Sequence, residues 1–108
     1  MRYFAVALAS RGITVNTISP GWIEDSVLNS LPELFQTALR EWQERGWTPM
    51  GRLGTPADIG NAVALICSEE AAWITGQLIE VDGGASLVDA HLPLEFQGIA
   101  KQERAHGA

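Results

Sequence analysis

Thr75-Gly76-Gln77-Leu78-Ile79-Glu80-Val81-Asp82-Gly83-Gly84, read with the earlier Asn16-Thr17-Ile18-Ser19-Pro20-Gly21, decides the fold of this chain. Each is a β-prone run that ends in residues suited to a turn, Gly83-Gly84 in one case and Ser19-Pro20-Gly21 in the other. Ile13 to Ile18 is rich in β-branched residues, and Gln77 to Asp82 has a strand's length between Gly76 and Gly83. Helical patterns lie between the two runs. Strand, helices, strand is the order of a crossover connection, so the two strands are expected side by side, parallel and joined right-handedly.

Working outward, Trp22 to Asn29 reads as a polar loop. Ser30 stands three residues before Glu33, with Pro32 between them, which is the spacing of a capping box at a helix start. Leu31, Leu34, Phe35, Ala38, Leu39 and Trp42 then recur with a helical period, predicting an amphipathic helix closed by Gly46. Trp47 to Gly54 is a connector. Thr55-Pro56-Ala57-Asp58 repeats the start signal, and the apolar stripe Ile59, Ala62, Val63, Ile66 and Cys67 carries a second helix to about Ser68. On that stripe Cys67 is expected to be a buried small hydrophobe.

Residues 1 to 10 favour helix, with Gly12 placed for a left-handed cap and Arg11 well placed against the helix dipole. A helix this short is marginal alone, so it needs a partner or an N-terminal extension. Beyond Leu87-Val88 the pattern is lost. Residues 1–88 are therefore expected to form the folded unit and 89–108 a loosely held tail.

Seven Lys and Arg against thirteen Asp and Glu give a net charge of -6, and the basic residues are scattered. Such a surface repels nucleic acid and anionic membranes alike. Apolar runs such as Ala62 to Cys67 fall far short of the roughly 20 residues that span a bilayer. The single cysteine excludes an internal disulfide and fits a reducing compartment, so a cytoplasmic location is expected. His91 and His106, with Asp89, Glu95 and Glu103, follow no recognised ligand spacing, and no metal site is predicted.

Taken in order, Arg11-Gly12-Ile13-Thr14-Val15-Asn16, Ser19-Pro20-Gly21-Trp22-Ile23, Gly51-Arg52-Leu53-Gly54-Thr55-Pro56-Ala57-Asp58-Ile59, Ile74-Thr75-Gly76-Gln77 and Val81-Asp82-Gly83-Gly84 resemble the C-terminal part of short-chain dehydrogenases/reductases. The likeness runs over about residues 2 to 88 and is nearest to reductases of the 3-oxoacyl-carrier-protein type. It implies an α/β fold, the C-terminal part of a Rossmann-like doubly wound parallel sheet. It also implies an NAD(P)-dependent oxidoreductase acting on a carbonyl or alcohol.

The resemblance sets Pro20, Gly21 and Ile23 beside the nicotinamide end of NAD or NADP. Pro20 fixes one backbone angle, Gly21 removes a side chain at close approach, and the Ile23 backbone is left to pair with a carboxamide. Two residues beyond Ile23 the family commonly has Thr, near the cofactor phosphates. Here that residue is Asp25. A carboxylate beside a pyrophosphate is unfavourable, so either Asp25 turns away or Ser26 supplies the hydroxyl.

The 108 residues hold neither the family's glycine-rich phosphate loop nor its Tyr and Lys four apart. Gly51-Arg52-Leu53-Gly54 follows a helix and reads as a connector, not a phosphate loop. Tyr3 is the only Tyr, Ala7 stands four residues on, and Tyr3 is expected to be a helix packing residue. No catalytic residue is therefore assigned, and the chain is expected to be a fragment inactive by itself. The resemblance makes Gln77–Asp82 and Pro56–Ser68 the surfaces for self-association or for a complementing N-terminal half. The alternative is a non-catalytic remnant or an oligomerisation or interaction module. Trp22 to Trp47 corresponds to the family's substrate loop and lid, where Leu31, Phe35 and Trp42 have the spacing of core residues and Trp22 and Trp47 stay open.

Overall fold

The computed structural model describes residues 1–88, the Ser26 side chain excepted. The expected tail and its two histidines lie outside the described residues. Helix α1 spans Arg2–Ala9, strand β1 Thr17–Pro20, α2 Ser26–Asn29, α3 Glu33–Trp42, α4 Pro56–Ile66 and strand β2 Leu78–Val81. The strands pair in parallel, from Thr17 opposite Leu78 to Pro20 opposite Val81. This is an α/β arrangement, with the helices α2 to α4 in the crossover between two adjacent parallel strands.

β1 starts later than the β-branched run suggests because one main-chain bond, from the Gly76 N–H to the Val15 carbonyl at 2.8 Å, precedes Thr17 and side chains make the others. The Val15 N–H donates to Thr75 Oγ1 at 3.0 Å. Asn16 donates its amide to the Ile74 carbonyl at 3.1 Å and accepts the Gln77 N–H at 3.0 Å. Regular pairing begins only at Thr17, whose N–H meets the Gln77 carbonyl at 2.9 Å. The strand nevertheless runs through Pro20. The N–H groups of Thr17 and Gly21 face β2, so by alternation the Pro20 nitrogen faces away and no ladder bond is lost.

The capping box expected at Ser30 and Glu33 does not form. Pro32 excludes the helical conformation from the residue before it, so α3 starts after Pro32, which is itself extended at ψ 143°. Ser30 instead donates its hydroxyl to the Val27 carbonyl at 2.6 Å, closing α2. At Thr55 the box is complete: Thr55 Oγ1 accepts the Asp58 N–H at 3.2 Å, Asp58 Oδ2 accepts the Thr55 N–H at 2.8 Å, and Pro56 opens α4.

Ala5, Leu28, Leu53 and Ala71 are the buried apolar residues among those described. That core is small, because two strands of four residues cannot cover the helices that flank them. The core packing expected of Leu31, Phe35 and Trp42 is accordingly not found: Phe35 is 61% exposed, and Trp42 stacks on Trp47 with ring centroids 5.6 Å apart. Cys67, expected to be buried, is exposed just past the end of α4. Tyr3 is exposed too, its ring meeting that of Phe4 edge to face. For each the periodicity is helical, but among the described residues no second layer lies opposite the stripe.

Candidate functional site

β1 and β2 end side by side, which brings the Pro20-Gly21 turn against Asp82-Gly83-Gly84. A Cβ on Gly21 would lie 2.6 Å from the Asp82 Cβ and 2.7 Å from its Cα. Glycine is needed there for closeness, since the neighbouring atoms are main chain or rigidly attached to it. Asp82 in turn holds the β2 turn, accepting the Gly84 N–H at 3.0 Å and the Ser86 N–H at 2.8 Å. Hydrogen bonding, from the Ser86 side chain foremost and then from these N–H groups, keeps its carboxyl below the usual carboxylate range.

After the turn, Ile23 forms a parallel bridge with Gly54. The Gly54 N–H donates to the Trp22 carbonyl and the Glu24 N–H to the Gly54 carbonyl, both at 2.8 Å. In such a bridge the central residue's own N–H and C=O point to the other side. Neither group of Ile23 has a hydrogen bond among the described residues. The turn thus presents one donor and one acceptor, adjacent and fixed.

Asp25 is turned onto α2, its Oδ1 accepting the Leu28 N–H at 3.0 Å, which is the work of an N-cap. Ser26 opens that helix, and its side chain lies outside the described part of the structure. A hollow of about 500 Å³ is lined by Pro20, Gly21, Ile23, Asp25, Pro56 and Ile59. It gathers the three residues singled out as Pro20, Gly21 and Ile23. Pro56 and Ile59 were not foreseen in it, although their place beside Gly54, the partner of Ile23, is the signal that connects them. A second hollow of about 370 Å³ lies toward β2, among Trp22, Met50, Arg52, Glu80 and Asp82.

The wall between strand ends and α4 is tied by Arg52, which donates to Asp58 at 2.8 and 3.3 Å and to the Leu53 carbonyl at 2.9 Å. The hydrogen bond from Arg52, followed by that from the Thr55 N–H, holds the Asp58 carboxyl far below the ordinary range, and Asp58 raises Arg52. A lowered folded-state pKa means that the unfolded chain binds the proton more readily. The contribution of this box is therefore complete above the unfolded value of about 3.9 and is lost as pH falls through the lower folded value. Carbon-detected titration should place Asp58 well below the ordinary aspartate range, and Arg52→Gln should bring it back toward that range. An ordinary midpoint in the unsubstituted chain would contradict the pairing.

Among the described residues no group of His, Cys, Asp and Glu could hold a metal ion, and no helix is long and apolar enough to cross a membrane. A hollow beside the carboxyl ends of adjacent parallel strands, floored by a close-approach glycine and reached through a crossover helix, defines the closing section of a doubly wound α/β domain. The chain belongs to the short-chain dehydrogenase/reductase family: the family model described as enoyl-(acyl carrier protein) reductase matches residues 1–86.

The 3-oxoacyl-[acyl-carrier-protein] reductase of Vibrio cholerae is 43% identical over 81 residues, which are 75% of this chain and 31% of that protein. The Escherichia coli reductase of the same name is 42% identical over 81 residues with the same coverage. Tetrahydroxynaphthalene reductase of Pyricularia oryzae is 31% identical over 94 residues, covering 80% of this chain and 33% of that protein. Among solved structures, an angucycline C-6 ketoreductase with bound NADP superimposes with a TM-score of 0.65 at 37% identity, covering 80% of this chain and 32% of that one. The chain spans about a third of the length of these relatives.

Proposed function

We propose that the chain supplies the nicotinamide-facing turn, the substrate lid and the last strand of an NAD(P)-dependent oxidoreductase that interconverts a carbonyl and an alcohol. The observation that carries this is the N–H and C=O pair of Ile23, without a hydrogen bond among the described residues and held by the Gly54 bridge at the edge of the Pro20-Gly21 hollow. A carboxamide offers the complementary acceptor and donor, so the residues present fit the nicotinamide end of the cofactor. Pro20 and Gly21 floor the site, and Ser26 is the candidate hydroxyl on the phosphate side. When bound, the cofactor supplies or takes the hydride; the chain's part is to orient the ring and keep water from it.

Neither the Tyr and Lys pair nor the glycine-rich loop is among the 108 residues, so these are assigned to a complementing N-terminal half, without which the chain is inactive. Leu78 on β2 and Val63 and Leu65 on α4 are exposed apolar side chains, which supports Gln77–Asp82 and Pro56–Ser68 as surfaces for that half or for a second copy. The same exposure favours a second reading, an interaction module without catalysis. The single Cys67 supports a reducing, cytoplasmic setting.

The test is a titration of the isotope-labelled chain, assembled with a complementing half, with NADP and with NAD. The Ile23 amide should shift most among the backbone signals. Asp25→Thr keeps a capping hydroxyl for α2 while removing a negative charge near the pyrophosphate, and should tighten binding several-fold, on the order of 1 kcal/mol. An Ile23 amide that stays still while other residues respond would refute the assigned turn.

A further inference from the structure

Gln43 and Thr48 are 1% and 3% exposed, the buried polar residues among those described. The Thr48 hydroxyl donates to the Gln43 side-chain oxygen. Gln43 belongs to the wide helical turn Gln43–Trp47 that continues α3, and Gly46, at φ 113°, breaks the helix between the two partners. Thr48 is already extended, at φ -115° and ψ 119°. It sits on the β2 turn: a Cβ on Gly83 would lie 2.7 Å from the Thr48 methyl, and the Met50 N–H donates to the Gly83 carbonyl at 3.1 Å. One side of the hydrogen bond therefore belongs to α3 and the other to the end of β2.

Among the described residues the other ties of α3 are weaker: Ala38 and Leu39 are only half-buried, and Trp42 stacks on Trp47 across Gly46 with both rings part exposed. Leu34 is 80% exposed and Phe35 faces solvent too, so the helix has no apolar anchor at its start. Gln36 binds the Asn29 and Leu31 carbonyls, which belong to the same segment. The ion pair of Arg40 with Glu24 joins exposed side chains, and such pairs are worth little in salt. A buried hydrogen bond is different, since breaking it leaves a polar atom enclosed without water.

We propose that Gln43 and Thr48 form a latch that fixes α3 against the Gly83 turn, and that α3 undocks about Gly46, parting the Trp42–Trp47 stack, when this buried bond opens. On the reading of the segment as a substrate lid, the latch sets how much of the time the lid is docked; the latch itself stands without that reading. Thr48 and Gln43 are positioning residues: neither lines the Pro20-Gly21 hollow, and Thr48 borders only the second hollow toward β2.

A ten-residue helix does not persist in water once detached, so amide exchange in α3 reports undocking. In the full 108-residue chain, Thr48→Val keeps the shape and removes the hydroxyl, while Thr48→Ser keeps the hydroxyl and removes the methyl. Thr48→Val should speed exchange of the α3 amides roughly tenfold, leaving the Met50 and Gly21 amides as they are, and Thr48→Ser should stay close to the parent. Equal acceleration at Met50 and Gly21, an unchanged α3, or Thr48→Ser behaving as Thr48→Val would each overturn the latch. Should Thr48→Val fail to fold, the parent chain in mild denaturant decides: α3 amides opening below the Met50 and Gly21 amides support the latch, and one shared opening refutes it. Activity enters neither arm, so failure here is separable from failure of the enzyme reading.

Discussion

Gly21→Ala is expected to cost about 3 kcal/mol of folding stability, the upper end of what an added methyl does in a tightly packed site. The added carbon would begin 2.6 Å from the Asp82 Cβ and 2.7 Å from its Cα, and neither atom can swing aside as the tip of a long side chain could. Relief requires β1 and β2 to part at their ends. That movement breaks the Gly21 N–H bond to the Val81 carbonyl and disturbs the Asp82 carboxylate that holds the next turn. Gly60 in α4 is the control, because a Cβ there meets nothing within 4 Å and Gly60→Ala should gain up to about 1 kcal/mol from helix propensity alone. Urea unfolding followed by circular dichroism measures both. Equal midpoints for the two variants would show that the strand ends are not packed as described.

The larger effect on activity is expected from complementation. The 108-residue chain alone should oxidise no NADPH in the presence of a carbonyl substrate, since its sequence has neither a Tyr with a Lys four residues on nor a glycine-rich phosphate loop. Joined by a complementing N-terminal half that carries both, turnover should rise from background by at least roughly a thousandfold, within what general acid catalysis and positioning contribute together. Turnover by the chain alone would overturn the division of labour proposed for it. Failure of well-folded halves to restore any turnover would leave the interaction module as the better account of the exposed apolar faces. Sedimentation distinguishes that account, which requires self-association or a captured partner where a cooperative monomer would deny it.

Much of the architecture is legible in local chemistry. Thr55-Pro56-Ala57-Asp58 writes a helix start in contiguous residues, and the structure realises each bond of it. Gly12 likewise stands at φ 73°, the left-handed conformation its place after the first helix requires. At Ser30 the same reasoning misplaces the start, because Pro32 bars its predecessor from the helix and so outweighs the capping spacing. The candidate site is half legible. Pro20, Gly21 and Ile23 stand together in the sequence, but the Gly54 bridge that exposes the Ile23 backbone joins segments with no local signal for each other. Nor does any motif announce Gln43 and Thr48, whose burial depends on where Gly83 comes to rest.

The sequence by itself determined the order of strands and crossover helices, the helix start at Thr55 and the family that shares these turns, because each element rests on residues near one another along the chain; the parallel pairing then follows from the handedness of crossover connections. Only the tertiary structure decided which apolar stripes are covered and which backbone groups stay open. Burial depends on a second layer, and the two short strands described are too narrow to give α3 and the end of α4 one.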